Sequence, residues 1–445
     1  MQSNHSSLPT PPGRKGLPLI GETLEFARNP NYIADRYAEF GPIFSTRFAG
    51  KDTAFMVGPQ ALEFVLSSGM DHLTWGDGWP QPFRSLLGRS LFLQDGAEHR
   101  RNRKLLMPAF YGAALGQYLK TMDTIAQQYL QRWEQQRQFQ WFLEFKKFTF
   151  EVASNIFLGT ETGPENQRLS ELFTQLSDGL FSFINLPGTK LNKGLAARRK
   201  ILAHVNQVVN QRRENPTHDA LSLLVQATDE TGDRLSQEEL CNHAILMLFA
   251  GHETTTAMLT WSVLELGRHS EILRTLRAEQ DALGNAPLTL EILQQMPALD
   301  RFLLEIERCH PPVGGGFRGV VKGFDFKGYH VPAGWLVQYS IAYTHQLAEL
   351  YPEPERFNPD RWLEEKPKPF GLVGFGGGPR ICLGLAFAKM EMKLMLVHLL
   401  RGYEWQLLPN QRLNPVIIPV RRPQDGCRVV FQRRSSELNF PTESS

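Results

Sequence analysis

Cysteine is scarce in this chain, neither sign of charge prevails, and no apolar run is long. Each scarcity removes a class of protein. Four cysteines in 445 residues, Cys241, Cys309, Cys382 and Cys427, are too few and too scattered for a disulfide scaffold or a paired C-x-x-C zinc site. A reducing compartment suits them. Lys plus Arg number 48 against 46 for Asp plus Glu, so the net charge of +2 gives no overall attraction for nucleic acid or a polyanionic substrate. The longest strongly apolar stretch, 244–251, is far short of the ~20 residues that cross a bilayer, and it runs into His252 and Glu253. The first 15 residues are rich in Ser and Pro and lack the pattern of a secretory signal. With 42% hydrophobic and 21% charged residues the chain is not disordered. The expectation is a cytoplasmic protein without a transmembrane anchor.

What is present is a strongly helical pattern from about Glu98 to Arg308, followed by strands over Phe317–Tyr343 and around Val416–Val430. Phe44–Val57 alternates around Gly50-Lys51 as a hairpin does. A Pro/Gly arm, Leu8–Gly13 and Gly16–Gly21, precedes it. The fold class is mainly α (α+β): a large helical body with a smaller β portion made by both ends of the chain. Residues 1–15 are expected to be a flexible tail and 16–445 a single catalytic domain.

The most informative segment is Phe375-Gly-Gly-Gly-Pro-Arg-Ile-Cys-Leu-Gly384. Three glycines and Pro379 impose a tight backbone that a flat ligand can approach closely, and Gly384 removes another Cβ. Helical periodicity follows at once, which puts Cys382 at a helix N-terminus, where free N–H groups favour thiolate. A thiolate held by backbone donors, with an arginine two residues earlier, is what a haem iron with a cysteine ligand needs. By chance F-x-x-G-x-R-x-C-x-G arises roughly once in ten thousand chains of this length.

A second segment breaks a local rule. Ser236 and Glu239 form a capping box that opens a helix running to about Arg268. Its middle, Ala250-Gly-His-Glu-Thr-Thr-Thr256, places a glycine, a carboxylate and three hydroxyls inside an apolar span. Gly251 leaves space, and a threonine hydroxyl can bond the carbonyl one turn back and widen the helix. A gap there could hold dioxygen and water, with Glu253 and Thr254 relaying protons.

The cysteine loop resembles the haem-binding loop of the cytochromes P-450, and the resemblance extends in order over almost the whole chain. It implies haem b lying between the long central helix and the cysteine-loop helix, with Cys382 as axial ligand to the metal. Phe375 is then expected against the ligated sulfur, Gly376 and Gly384 in the haem-binding loop, and Arg380 on a haem propionate. His99, Arg103 and Arg318 are further candidate propionate clamps. Glu253 and Thr254 match the family's acid and alcohol, which favours a monooxygenase using dioxygen. Glu305 and Arg308 resemble its E-x-x-R motif, completed by Arg361, with Arg356 as a rival for the third position. Glu307 departs from the pattern, since an aliphatic residue is usual before the motif's arginine; it is expected to point away from the Glu305 face.

The segments 311–318, 334–341 and 16–24 look most like the retinoic acid hydroxylases and their cyanobacterial relatives. The implied substrate is a lipophilic isoprenoid of retinoid size. Candidate pocket residues are Trp79, Phe181, Phe183 and Gly315, with Trp75 and Phe83 beside them. Electrons would come from a ferredoxin or flavodoxin, steered by a basic patch of Arg100, Arg101, Lys104, Lys389 and Lys393. Leu8, Leu17, Leu19 and Ile20 could touch a bilayer surface. Two other readings stay open: a haem-thiolate isomerase or dehydratase of hydroperoxides, and a non-catalytic haem or apocarotenoid-binding sensor.

Overall fold

The computed structural model describes residues 8–284 and 286–434. Helices dominate them. The longest, Gln237–Arg268, starts at the Ser236 capping box, in which the Ser236 side chain accepts the Glu239 N–H and Glu239 accepts the Ser236 N–H. It is buried along most of its length, so it has no polar face to show solvent. Helix Trp141–Leu158 lies against it, and Thr149 Oγ1 bonds Thr256 Oγ1 at 2.7 Å and donates to His252 O at 3.2 Å. Gly159 ends that helix at φ 65°, a left-handed position that favours glycine. Helices Ala113–Gln136, Pro164–Leu180, Lys190–Glu214 and Leu385–Gly402 complete the body around one large apolar core.

The β portion is chiefly one six-stranded sheet. Its strands in spatial order are Gly13–Arg14, Ile43–Phe48, Lys51–Val57, Leu336–Ser340, Gly315–Val320 and Leu73–Thr74. The hairpin 43–57 pairs antiparallel from Ile43↔Met56 to Phe48↔Lys51. A second sheet joins Tyr403–Leu407, Arg428–Arg433 and Gln138–Gln140, tying the chain's last third to the helical body.

The arm corrects the boundary expected at residue 15. Met1–Ser7 lie outside the described residues, but Gly13–Arg14 pairs parallel with Ser45–Thr46. The Ser45 N–H donates to Pro12 O at 2.7 Å and the His330 N–H to Pro9 O at 2.8 Å. Proline carbonyls accept ladder bonds even though proline donates none, so a Pro-rich segment can line a sheet edge.

Candidate active site

The cysteine loop is held by its own backbone. Gly376 and Gly378 take φ of 77° and 56°, and a Cβ on Gly378 would lie 2.5 Å from Leu66 O, so glycine is needed there twice over. The Cys382 N–H donates to Phe375 O at 2.7 Å, closing the loop around the thiol. Helix Leu385–Gly402 begins three residues later, with Gly384 as its N-cap. Burial pushes the Cys382 thiol up, opposed by the Gly384 N–H and Arg103. A Cβ on Gly384 would make only ordinary contacts, with Phe110 at 3.8 Å and Cys382 Sγ at 4.0 Å.

On the long helix, Thr254 Oγ1 donates to Ala250 O at 2.8 Å and Thr255 Oγ1 to Gly251 O at 3.1 Å. Both hydroxyls bond one turn back across Gly251, whose missing Cβ would otherwise meet Phe157 at 3.5 Å. Glu253 is 1% exposed. It turns toward helix Trp141–Leu158, where Lys146 Nζ donates to Glu253 Oε1 at 2.8 Å, and His252 Nε2 lies 3.4 Å from the same oxygen. Burial works to raise the Glu253 carboxyl, but His252 and Lys146 hold it well below the usual carboxylate range. Glu253 Oε2 is buried with no partner among the described residues. Lys146 was not singled out from the sequence; the only signal was a pair of lysines, Lys146 and Lys147, within the Phe-rich stretch Phe142–Phe150.

A third group gathers cations. Arg318 and Arg380 both lie over the ring of Trp75. Arg318 Nη2 donates to Tyr339 Oη at 2.9 Å, while Arg380 Nη2 reaches Asp95 Oδ1 at 3.0 Å. The Nε of each is buried without a partner among the described residues. Burial lowers each guanidinium to about 10. His99 is lowered to about 4 by burial and by Arg380 and Arg103, so its imidazole is neutral at pH 7. Arg380 pairs with Asp95, and Arg318, Arg103 and the His99 imidazole lie near enough to share its field.

Behind the loop lies a saturated network. Glu305 accepts Arg308 Nη2 at 2.7 Å and Arg308 Nε at 3.0 Å, Arg361 Nε and Trp362 Nε1 each at 3.0 Å, and the Asn358 N–H at 2.9 Å. Arg356 takes no side-chain part; it pairs on the surface with Glu353 and offers only its carbonyl, to Arg308 and Arg361. Arg308 Nη1 also donates to His345 O at 3.0 Å, and His345 Nε2 accepts the Val373 N–H at 3.0 Å. His345, lowered to about 3 by burial, stays neutral and can accept that bond. It connects the network to the cysteine loop, a role no local pattern disclosed.

The sequence model of the Cytochrome P450 family matches residues 11–429. The chain belongs to the cytochrome P450 family. It is 42% identical over 436 residues to putative cytochrome P450 120 of Synechocystis, covering 96% of this chain and 98% of that one. It is 30% identical to the β-amyrin 28-monooxygenase of Barbarea vulgaris, over 94% and 92% of the two chains. The solved structure of a retinoic acid-bound cyanobacterial CYP120A1 superposes with a TM-score of 0.90 at 41% identity, over 96% of this chain and 100% of that one.

The protein is thus a P450 monooxygenase, of a family that carries haem b with a cysteine thiolate axial ligand. Its residues fit that group. The unpartnered Arg318 and Arg380 Nε atoms, with Arg103 and His99, suit a dianionic ligand, and the Cys382 loop supplies a thiol with a backbone donor.

One sequence expectation does not hold for this P450. The basic patch is mostly neutralised: Arg101 pairs with Asp233 at 2.6 Å and Glu239 at 3.1 Å, Lys104 with Glu230 at 3.2 Å, and the buried Lys393 with Asp300 at 2.7 Å. Arg100 and Lys389 are left. The pocket candidates Trp79, Phe83 and Phe181 form one aromatic cluster with Phe92 and Phe317, with centroids 4.7–6.2 Å apart, while Phe183 is 71% exposed on the loop beyond it. Trp75 belongs to the cation group instead. Gly315 lies in the sheet, where a Cβ would come 2.2 Å from Tyr339 O, which is a packing reason for glycine.

Proposed function

We propose that this P450 hydroxylates a lipophilic isoprenoid of retinoid size, with Cys382 as the thiolate ligand of its haem. The observation that carries the substrate class is the retinoic acid held by the CYP120A1 structure that this chain matches end to end. An aromatic wall of Trp79, Phe83, Phe181 and Phe317 suits a conjugated apolar chain. When bound, the haem supplies activation of dioxygen, with the thiolate favouring O–O cleavage.

The chain's own residues prepare and proton-supply that site. Gly384 N–H and Arg103 favour negative charge on Cys382 Sγ. Arg318, Arg380, Arg103 and His99 hold the two propionates. Gly251 keeps the helix wall clear, and Thr254 offers a hydroxyl whose proton is already ordered toward Ala250 O. Glu253 Oε2, buried without a partner among the described residues, is an acceptor open to a hydrogen bond from the relay, with Lys146, 20% exposed at its side chain, on the way to solvent.

Electrons come from an external redox protein of the acidic ferredoxin or flavodoxin kind, guided by Arg100 and Lys389. No helix among the described residues is long and apolar enough to cross a membrane. We place the protein in the cytoplasm, with Leu17 and the 78% exposed Leu19 of the arm as an apolar surface for lipid contact.

The test is the absorption spectrum of the reduced, carbon monoxide-bound protein. A strongly red-shifted Soret band in the wild type, lost in Cys382→Ser, supports the ligand assignment, and its absence from the wild type overturns it. Titration with retinoic acid then gives a spin-state shift; a panel in which no retinoid shifts the spectrum, while other lipophiles do, overturns the substrate class.

A further inference from the structure

Glu307 breaks the family's pattern, and the structure gives the break a location. Helix Pro297–Cys309 turns Glu307 away from the Glu305 network and buries it against the cysteine loop. The Gly374 and Phe375 N–H groups lie on the carboxylate's side and favour its anion. A Cβ on Gly374 would lie 2.5 Å from Glu307 Cγ, so the two backbones meet closely only because residue 374 is glycine. Phe375 in turn accepts the Cys382 N–H at 2.7 Å, leaving one residue between the carboxylate and the backbone of the thiol.

A counter-charge faces it. Lys389, on the helix that follows the cysteine, and Glu307 line the same cavity of about 210 Å³, whose apolar walls are Met258, Leu303, Phe375 and Met392. Asp300 also lines it, but is paired with Lys393 at 2.7 Å, which leaves Lys389 to balance Glu307. Arg308, the next residue, is turned the other way and held by Glu305. Burial pushes the Glu307 carboxyl up to about 7, against Lys389 and the two loop N–H groups, so it is partly ionised near neutral pH.

We propose that Glu307 and Lys389 act through the cysteine loop as a pair of opposite sign that sets how readily the haem iron accepts an electron. Reduction adds one negative charge beside the loop. An anion at Glu307 disfavours that charge, and a cation at Lys389 favours it. The inference rests on Cys382 as the ligand, and loss of that assignment would show separately, as a missing red-shifted Soret band.

The experiment is a spectroelectrochemical titration of the haem-loaded wild type, Glu307→Gln and Lys389→Gln. Glutamine at 307 keeps a carbonyl for the loop N–H groups, and haem content with an unshifted Soret band checks that the loop is intact. Glu307→Gln is expected to raise the midpoint potential, by up to about tenfold in the ferrous-to-ferric ratio, or about 59 mV for one electron. Lys389→Gln shifts it the other way. Between pH 6 and 8 the wild-type potential falls as Glu307 loses its proton, and the slope flattens in Glu307→Gln. Shifts of one sign in both variants, or no shift in either, overturn the proposal. An equilibrium potential does not depend on donor docking, so the result is separate from any steering by Lys389.

Discussion

Two arginine-rich regions flank the cysteine loop, and they are built in opposite ways. Around Glu305 the charges are complete: five N–H donors converge on one carboxylate, and Arg308 spends its remaining N–H groups on carbonyls. Around Trp75 they are incomplete: Arg318 and Arg380 are buried beside Arg103 and His99, Asp95 pairs with Arg380, and each guanidinium keeps an Nε without a partner among the described residues. A buried charge without a counter-charge is costly. The first region's partners are within the chain and serve the fold; the second region suits a dianion, which is the role proposed for it. The difference separates a structural cluster from a binding cluster without reference to motif.

The comparison breaks or holds on paired substitutions. Glu305→Gln leaves Arg308 and Arg361 without their carboxylate, and is expected to cost about 3–5 kcal/mol in the haem-free protein, with haem lost as a consequence. Urea unfolding and haem content measure both. Arg318→Met removes a buried cation that the haem-free protein does not balance, so the haem-free protein should keep its stability or gain some, not lose it. The same change removes a charge-assisted bond to the ligand, worth about 1.5–3 kcal/mol, so haem is expected to bind roughly ten- to hundredfold more weakly. Equal losses of haem-free stability in the two variants would erase the distinction.

How much of this was legible beforehand follows from the range of each interaction. The cysteine loop, the capping box and the Glu305–Arg308 pair are local in sequence, and spacing alone places their residues together. Glu253 could be chosen from its own helix, but its partner Lys146 is 107 positions away and depends on how two helices pack. The same limit undid the basic patch, because Asp233, Glu230 and Asp300 approach Arg101, Lys104 and Lys393 only in the folded chain. Phe181 and Phe183 follow the same local rule, and only packing turns one inward and the other to solvent. Glu307 was legible as an anomaly, while the loop N–H groups that explain it were not.

The Lys146–Glu253 pair stands between the two regions, and it supplies the finest test. One carboxylate oxygen is paired as in the Glu305 network, and the other is unpartnered as in the cation cluster. Lys146→Met should therefore cost less than Glu305→Gln, about 1–2 kcal/mol at neutral pH, because His252 remains beside the carboxylate. The sign of the pH dependence follows from the direction of the shift. The folded Glu253 carboxyl is held below its ordinary value of 4.5, so the pair's contribution is present above that pH and is lost as pH falls through the lower folded value. The stability difference between wild type and Lys146→Met should stay level from pH 8 to about 5 and shrink below it. A difference that grows on acidification would mean that Glu253 is protonated in the wild type, and the carboxylate could then not serve as the acceptor in a proton relay.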